Sequence, residues 1–423
     1  MNGEAKTVVE PYGVERAIPE TEAELRQEEM LLNLGPSHPS MHGIIRIITK
    51  LQGELVVDAE VEIGYLHRAF EKSCEAVTWN QALIYTDRLN YVSTCINNVG
   101  YCLAVEKLLE IQLPPRGQYI RTMLCEISRI ADHLTCVGAA AMELGAFTVF
   151  LYMMIAREYC YELIEDYCGA RVTTNCTRVG GMPFDLSEGW LDKVHWTISK
   201  VRHILKECDI LLTYNRIFVD RTKGIGAISK ERALSYGFTG PMLRACGVPY
   251  DVRKDHPYLI YHQLDWTVPV GRRGDVLDRY LVRMEEMEQS CRILEQCAAK
   301  IPGGPVSCDN KQVVLPDKKD VYGNIEGLMN HFKLIMDGHG IRVPEGEVYF
   351  SVEAGNGELG FYVVSMPGEN SRDGCNDRPW RVRCRPPCMS FVAAMPEMIR
   401  GLMVADIVPT FGSINMIGGE LDR

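Results

Sequence analysis

The sequence predicts an α+β fold, mainly α: a bundle of long helices with an N-terminal β hairpin and a C-terminal β/α segment. Three observations carry this. Apolar residues recur at helical spacing through long stretches between about residues 87 and 297. Short β-branched runs bounded by Gly and Pro stand at both ends. Hydrophobic residues at 46% and charged residues at 24% are the proportions of a chain that buries a core rather than staying disordered. The expected organisation is an N-terminal acidic arm over 1–29 and one large domain over 30–423. Within that domain, 30–65 holds the hairpin, 66–300 the helical core and 301–423 the mixed β/α part.

The arm has no apolar period and gathers Glu20, Glu22, Glu24, Glu28 and Glu29. Residues 44–51 and 55–63 read as strands joined at Gln52-Gly53-Glu54. A helix is expected over 87–111, ending at Pro114-Pro115. The next has the clearest stripe, Ile120, Met123, Leu124, Ile127, Ile130, Leu134 and Val137, with Arg121, Glu126, Arg129 and Asp132 placed mostly off it. Residues 149–167, 191–214 and 276–297 continue the bundle. Between the last two, 237–270 reads as a covering region with short strands. The tail returns to strand at 347–353, 360–365 and 380–384, then to two short helices between 391 and 408.

Between the arm and the hairpin lies Gly35-Pro36-Ser37-His38-Pro39-Ser40-Met41-His42-Gly43, too rich in Gly and Pro for helix or central strand. Two imidazoles in a fixed loop suit proton transfer near neutral pH. Taken alone, the motif favours a stiff turn whose histidines bond nearby backbone. Arg68, in the segment after the hairpin, is either a permanent charge beside a redox centre or anion, or a solvated partner of Glu71. Asp87 and Tyr91 are expected on one face at a helix start, where a phenol near an imidazole could deliver protons to a two-electron acceptor. Gly355-Asn356-Gly357-Glu358-Leu359-Gly360 spells GxGxxG, but the strand that follows it makes a hairpin turn rather than a dinucleotide site.

A net charge of −11 argues against nucleic acid as the partner. The 16 cysteines are scattered singly through apolar segments without CxxC pairs, as thiols packed in a reducing compartment would be, and no signal peptide is legible. The apolar stretch 134–156 is long enough for a bilayer. Glu143 and the interrupting Gly138 and Gly145 argue instead for two buried helices meeting near Gly145.

Several long motifs together resemble the D-subunit family of NADH:quinone oxidoreductase, respiratory complex I. They are Leu32 to Gly43, Ile63-Gly64-Tyr65-Leu66-His67-Arg68-Ala69-Phe70-Glu71-Lys72, Ala104 to Leu109, Val268-Pro269-Val270-Gly271-Arg272-Arg273-Gly274-Asp275 and the terminal Gly419-Glu420-Leu421-Asp422-Arg423. The likeness runs in order from about residue 30 to the end. It implies a fold like the large subunit of nickel-iron hydrogenases, with the metal-binding cysteines gone from Gly64 to Lys72 and from Gly418 to Arg423. It further implies that His42 and Tyr91 bracket a quinone headgroup as the catalytic pair, with Glu143, His38 and Asp87 in support; Glu143 stands where aspartate is usual. Arg68 resembles an arginine near a [4Fe-4S] cluster held by an adjacent subunit. Thr173 stands where the family often has a histidine tied to that cluster's pH dependence.

The resemblance therefore implies no cofactor bound by this chain alone, quinone as substrate, and the B, C, I and H subunits of the complex as partners. The place implied is the cytoplasmic side of the cell inner membrane, with quinone reduction coupled to proton translocation. Two rivals stay open: a hydrogenase large subunit, which would hold nickel, and a scaffold with no active pocket.

Overall fold

The computed structural model describes residues 7–9, 15–17, 29–336, 339–366 and 375–423. Much of the acidic arm lies outside these residues. Within it Thr7–Val9 (β1) pairs antiparallel with Glu15–Ala17 (β2). The expected hairpin is present as Arg46–Gln52 (β4) and Leu55–Glu62 (β5), and it gains a third strand, Glu29–Leu34 (β3), on the β4 side. The histidine loop is thus the β3–β4 connection. Ile47 and Leu51 of β4 and Val56 of β5 turn inward, the period-2 signature of a sheet covered on one face. The helices that cover it come from the far end of the chain: Val56 exchanges backbone hydrogen bonds with Gly401 and Leu402.

The helical part runs through Phe70–Glu75 (α1), Trp79–Thr86 (α2), Thr94–Leu108 (α3), Pro115–Glu143 (α4), Phe147–Cys168 (α5), Trp190–Leu212 (α6) and Val276–Lys300 (α7). Helices 4 to 7 match their expected spans. Helix 3 does not: the helix expected from Asp87 begins at Thr94, and residues 87–93 are irregular. The reason is local polar competition. The Asn90 side-chain oxygen accepts from the backbone N–H groups of Val92 and Ser93 at 3.2 and 3.3 Å, and Asn98 donates to Asp87 at 2.6 Å. Asp87 and Tyr91 therefore do not share a helix face.

A second correction concerns α4. Arg121, Glu126, Arg129 and Asp132, placed off its apolar stripe, are all fully buried. The helix is central to the bundle, and each charge has partners: Arg121 donates to both oxygens of Glu106 at 2.8 and 2.6 Å, while Glu126 accepts from Arg253, Tyr261 and Ser290. The 237–270 region holds no strand; it forms short helical turns at Gly240–Ala245, Val252–Asp255 and Tyr261–Gln263. Asp251, which N-caps the second of these, and Arg253 within it are fully buried against the ionic core, so the segment folds inward rather than pairing as a ribbon.

Beyond α7, Ile325–Ile335 (α8) leads to Gly346–Glu353 (β6) and Glu358–Ser365 (β7), paired across a turn at Ala354–Gly357 as the glycine motif predicted. Arg381–Arg385 (β8) joins β7, followed by Pro387–Ile399 (α9), Val404–Ile414 (α10) and Gly418–Asp422 (α11). Among the described residues no helix is long and apolar enough to cross a membrane. The 134–156 stretch is divided between α4 and α5.

Candidate functional site

The histidine loop closes in a short 3-10 turn, Pro39–Met41. His38 caps it, its Nδ1 accepting from the Ser40 N–H at 3.2 Å, and so acts within the loop. His42 ends the turn in the left-handed region, φ 55°, which swings its ring out of the loop. That ring is 41% exposed and stands with Nε2 3.5 Å from Glu143 Oε1, at the C-terminus of α4. Phe411 of α10 flanks it, with ring centroids 6.1 Å apart.

Glu143 is the unusual member. Its side chain is 5% exposed, yet neither carboxyl oxygen has a hydrogen-bond partner. Burial pushes its pKa up to about 8, and burial also lowers that of His42. At neutral pH the pair accordingly rests as a neutral acid beside a neutral imidazole. Gly412 makes room for the carboxyl, since a Cβ there would fall 2.5 Å from Glu143 Oε2.

Tyr91 lies in the irregular 87–93 segment, 38% exposed, and its hydroxyl makes no hydrogen bond among the described residues. Burial raises the phenol's pKa, reinforced by Cys388 and Asp132 and opposed by the Arg68 guanidinium. Arg68 donates to the Arg88 carbonyl, and its own pKa is lowered by burial and by Arg88. Asp87 points elsewhere: it accepts from Asn98 and from the Asn175 N–H, and burial raises its pKa to about 6. Its link to the site is through the backbone that carries Tyr91.

No hydrogen bond or ion pair among the described residues joins the His42–Glu143 half directly to the Tyr91–Arg68 half. The C-terminal segment spans them. It starts at Phe411 beside His42. Gly418 then passes so close to Ile44 that a Cβ would meet it at 2.7 Å, and a Cβ on Gly419 would meet the Arg88 and Leu89 carbonyls and Arg68 at 2.4, 2.7 and 2.9 Å. The Asp422 carboxylate accepts from the Gly64 and Leu66 N–H groups at 3.0 and 2.8 Å. The two sequence motifs at 64–72 and 418–423 therefore pack on each other. Among the described residues no three His, Cys, Asp or Glu side chains are placed to hold a metal ion together. No disulfide joins any of the 16 cysteines; thirteen are buried and three half-buried.

Sequence reasoning missed Phe411, Asn415 and Asp132 as neighbours of the site. Phe411 and Asn415 lie far along the chain from the loop and helix they touch. Asp132 looked like a surface residue of an amphipathic helix.

The family model for the 49 kDa subunit of respiratory-chain NADH dehydrogenase matches residues 143–423. The NADH-quinone oxidoreductase D subunit of Myxococcus xanthus is 52% identical over 404 residues, covering 96% of this chain and 95% of the relative. The D 1 subunit of Sorangium cellulosum is 50% identical over 411 residues, 97% of this chain and 99% of the relative. A C/D subunit of Bdellovibrio bacteriovorus is 50% identical over 94% of this chain, which spans 70% of that longer relative. With the geometry above, these likenesses place the chain in the 49 kDa subunit family of respiratory-chain NADH dehydrogenase, as the D-type subunit of an oxidoreductase complex.

Proposed function

We propose that this chain forms a quinone-reduction site with an adjacent subunit that carries a [4Fe-4S] cluster, and that His42 and Tyr91 hold the quinone headgroup between them. The reading rests on one observation above others. A half-exposed imidazole backed by a buried, unpartnered acid and a half-exposed, unbonded phenol are carried on the two sides of one short C-terminal segment. Each is a neutral hydrogen-bond donor toward a carbonyl oxygen. Quinone takes up two electrons and two protons to become quinol. The electrons arrive from the cluster; one proton passes through the imidazole, one ring nitrogen giving its proton to a headgroup oxygen as the other takes that of Glu143, and the second comes from the phenol of Tyr91, which regains it from solvent. Arg68, a permanent cation on the Tyr91 side, favours electron arrival by stabilising the reduced centre.

This chain binds no cofactor of its own in this reading. It works on the cytoplasmic side of the inner membrane with the cluster-bearing B subunit, the C and I subunits and the membrane-embedded H subunit, where quinone reduction is coupled to proton translocation. The C/D relative supports the neighbourhood of the C subunit. The test is Tyr91→Phe and His42→Ala in the assembled complex. Quinone reduction that falls about tenfold or more in each variant but stays measurable, with retained NADH oxidation by an artificial acceptor, is expected. Undiminished quinone reduction would reduce the chain to a scaffold.

A further inference from the structure

Tyr91 sits in a segment without regular structure, so something outside that segment must fix where its phenol points. Asp87, at the start of the segment, is held by Asn98 and the Asn175 N–H, whereas the two residues that flank Tyr91 and Val92 both donate to one side chain from outside the segment. Asp132, fully buried in the middle of α4, accepts from Asn90 Nδ2 and Ser93 Oγ at 2.9 Å each, on its Oδ2. These are the residues on either side of Tyr91 and Val92. Asn90 is itself tied down twice more, its oxygen accepting from the Val92 and Ser93 N–H groups and its carbonyl accepting from Asn97 Nδ2 at 2.9 Å.

The other oxygen of Asp132 faces the far end of the chain. Oδ1 accepts from Asn415 Nδ2 at 2.9 Å, and Asn415 is the left-handed residue, φ 56°, that ends α10 and turns the chain from Phe411 toward Gly419. Asn415 also donates to Asn356 Oδ1, and Asn356 Nδ2 reaches Glu420 Oε2 at 3.3 Å. Asn356 is delivered by the glycine turn between β6 and β7. That turn is seated on α4: a Cβ on Gly355 would stand 2.2 Å from Asp132 Oδ2, and Arg129, one turn earlier on the helix, donates to the carbonyls of Glu353 and Ala354 at 2.6 and 2.9 Å. The GxGxxG motif, which forms no dinucleotide site, thus brings a bare backbone against one carboxylate and passes an amide beyond it.

We propose that Asp132, bridging Asn90 and Ser93 to Asn415 with the Gly355 turn closed against it, is the positioning residue that sets Tyr91 relative to the C-terminal segment and hence to His42. It touches no substrate. This rests on Tyr91 being a headgroup ligand. A carboxylate suits this position because all three groups facing it are donors; an amide in its place presents one acceptor oxygen and an NH2 that meets donors.

The experiment is Asp132→Asn in the assembled complex, assayed with a short-chain ubiquinone analogue and, for the donor side, with NADH and ferricyanide. The expected result is a rise in KM for the quinone of about tenfold or more, a smaller change in kcat, and unchanged ferricyanide reduction. In the Tyr91→Phe background the same substitution should add less than about twofold, because both changes act on one contact. A quinone KM within about twofold of the parent, or effects that multiply in the double variant, overturns the inference. Should Asp132→Asn fail to assemble, Ser93→Ala removes one of the three donors with little change of volume. A rise in KM of about threefold or more supports the role, and an unchanged KM overturns it. If Tyr91→Phe alone leaves quinone kinetics untouched, the site reading itself fails; if only the Asp132 variants do so, the site stands and the positioning role falls.

Discussion

Replacing Glu143 with Gln should make the protein more stable at neutral pH, against the usual expectation for a buried substitution. In the folded chain the carboxyl ionises near pH 8, against an ordinary value of 4.5. The unfolded chain therefore releases this proton as pH rises through 4.5 while the folded chain keeps it. Below that ordinary value the group costs nothing. Between 4.5 and 8 stability falls as pH rises, because the folded state binds the extra proton. At about 1.4 kcal/mol per pH unit, the loss amounts to about 3 kcal/mol by about pH 7. Gln has nearly the same shape and does not titrate, so Glu143→Gln removes the pH-dependent loss. Urea unfolding of the purified chain, followed by the fluorescence of the fully buried Trp79 and Trp190, measures it. Parent and variant should coincide near about pH 4 and diverge steadily toward about pH 8, with the variant more stable. Parallel profiles from about pH 5 to about pH 8 would refute a neutral, unpartnered Glu143.

Other consequences can be checked in the same preparations. Arg244→Met should destabilise by about 3–5 kcal/mol, because it leaves the fully buried Glu286 and Glu353 without the guanidinium that now lies 2.6 and 2.8 Å from them; urea midpoints measure this. Burial raises the pKa of all four thiols, so accessibility decides their order: the half-buried Cys168 and Cys308 should alkylate before the fully buried Cys74 and Cys102, which should stay unmodified at about pH 8 until the chain unfolds, as peptide mass spectrometry would show. Thr173 is exposed, sits at φ 54° and does not titrate. If the proposed [4Fe-4S] cluster of an adjacent subunit lies beside this position, its midpoint potential should vary little between about pH 6 and about pH 8 in a redox titration, and Thr173→His should restore a slope; a full slope in the parent would exclude the idea.

What could be read without coordinates was whatever depends on spacing along the chain. The stripe of α4, the break at Gly145 and the β6–β7 turn each rest on neighbours within a few residues, and each lies where expected. The helix start at Asp87 was misjudged for a related reason. Apolar spacing is present, but the Asn90 side chain takes the N–H groups of Val92 and Ser93, and the Asp132 carboxylate that holds Asn90 in place lies elsewhere in the fold. Likewise the charges of α4 alternate with apolar residues as on a surface helix. Only the arrival of Glu106, Arg253 and the 353–356 turn from distant parts of the chain makes them buried.

The order of residues is enough to give the class of the fold, the loop over 35–43 that carries His42, the family and the absence of CxxC pairs, because each is written in local pattern or in motifs kept in order. Packing of distant segments is what buries Glu143 beside His42 without a hydrogen bond, turns Asp87 away from Tyr91, and runs the last residues between the two halves of the site. Those facts depend on which surfaces meet. Desolvation of a carboxyl, and the closeness that demands glycine at 355, 412 and 419, exist only once distant segments have packed together.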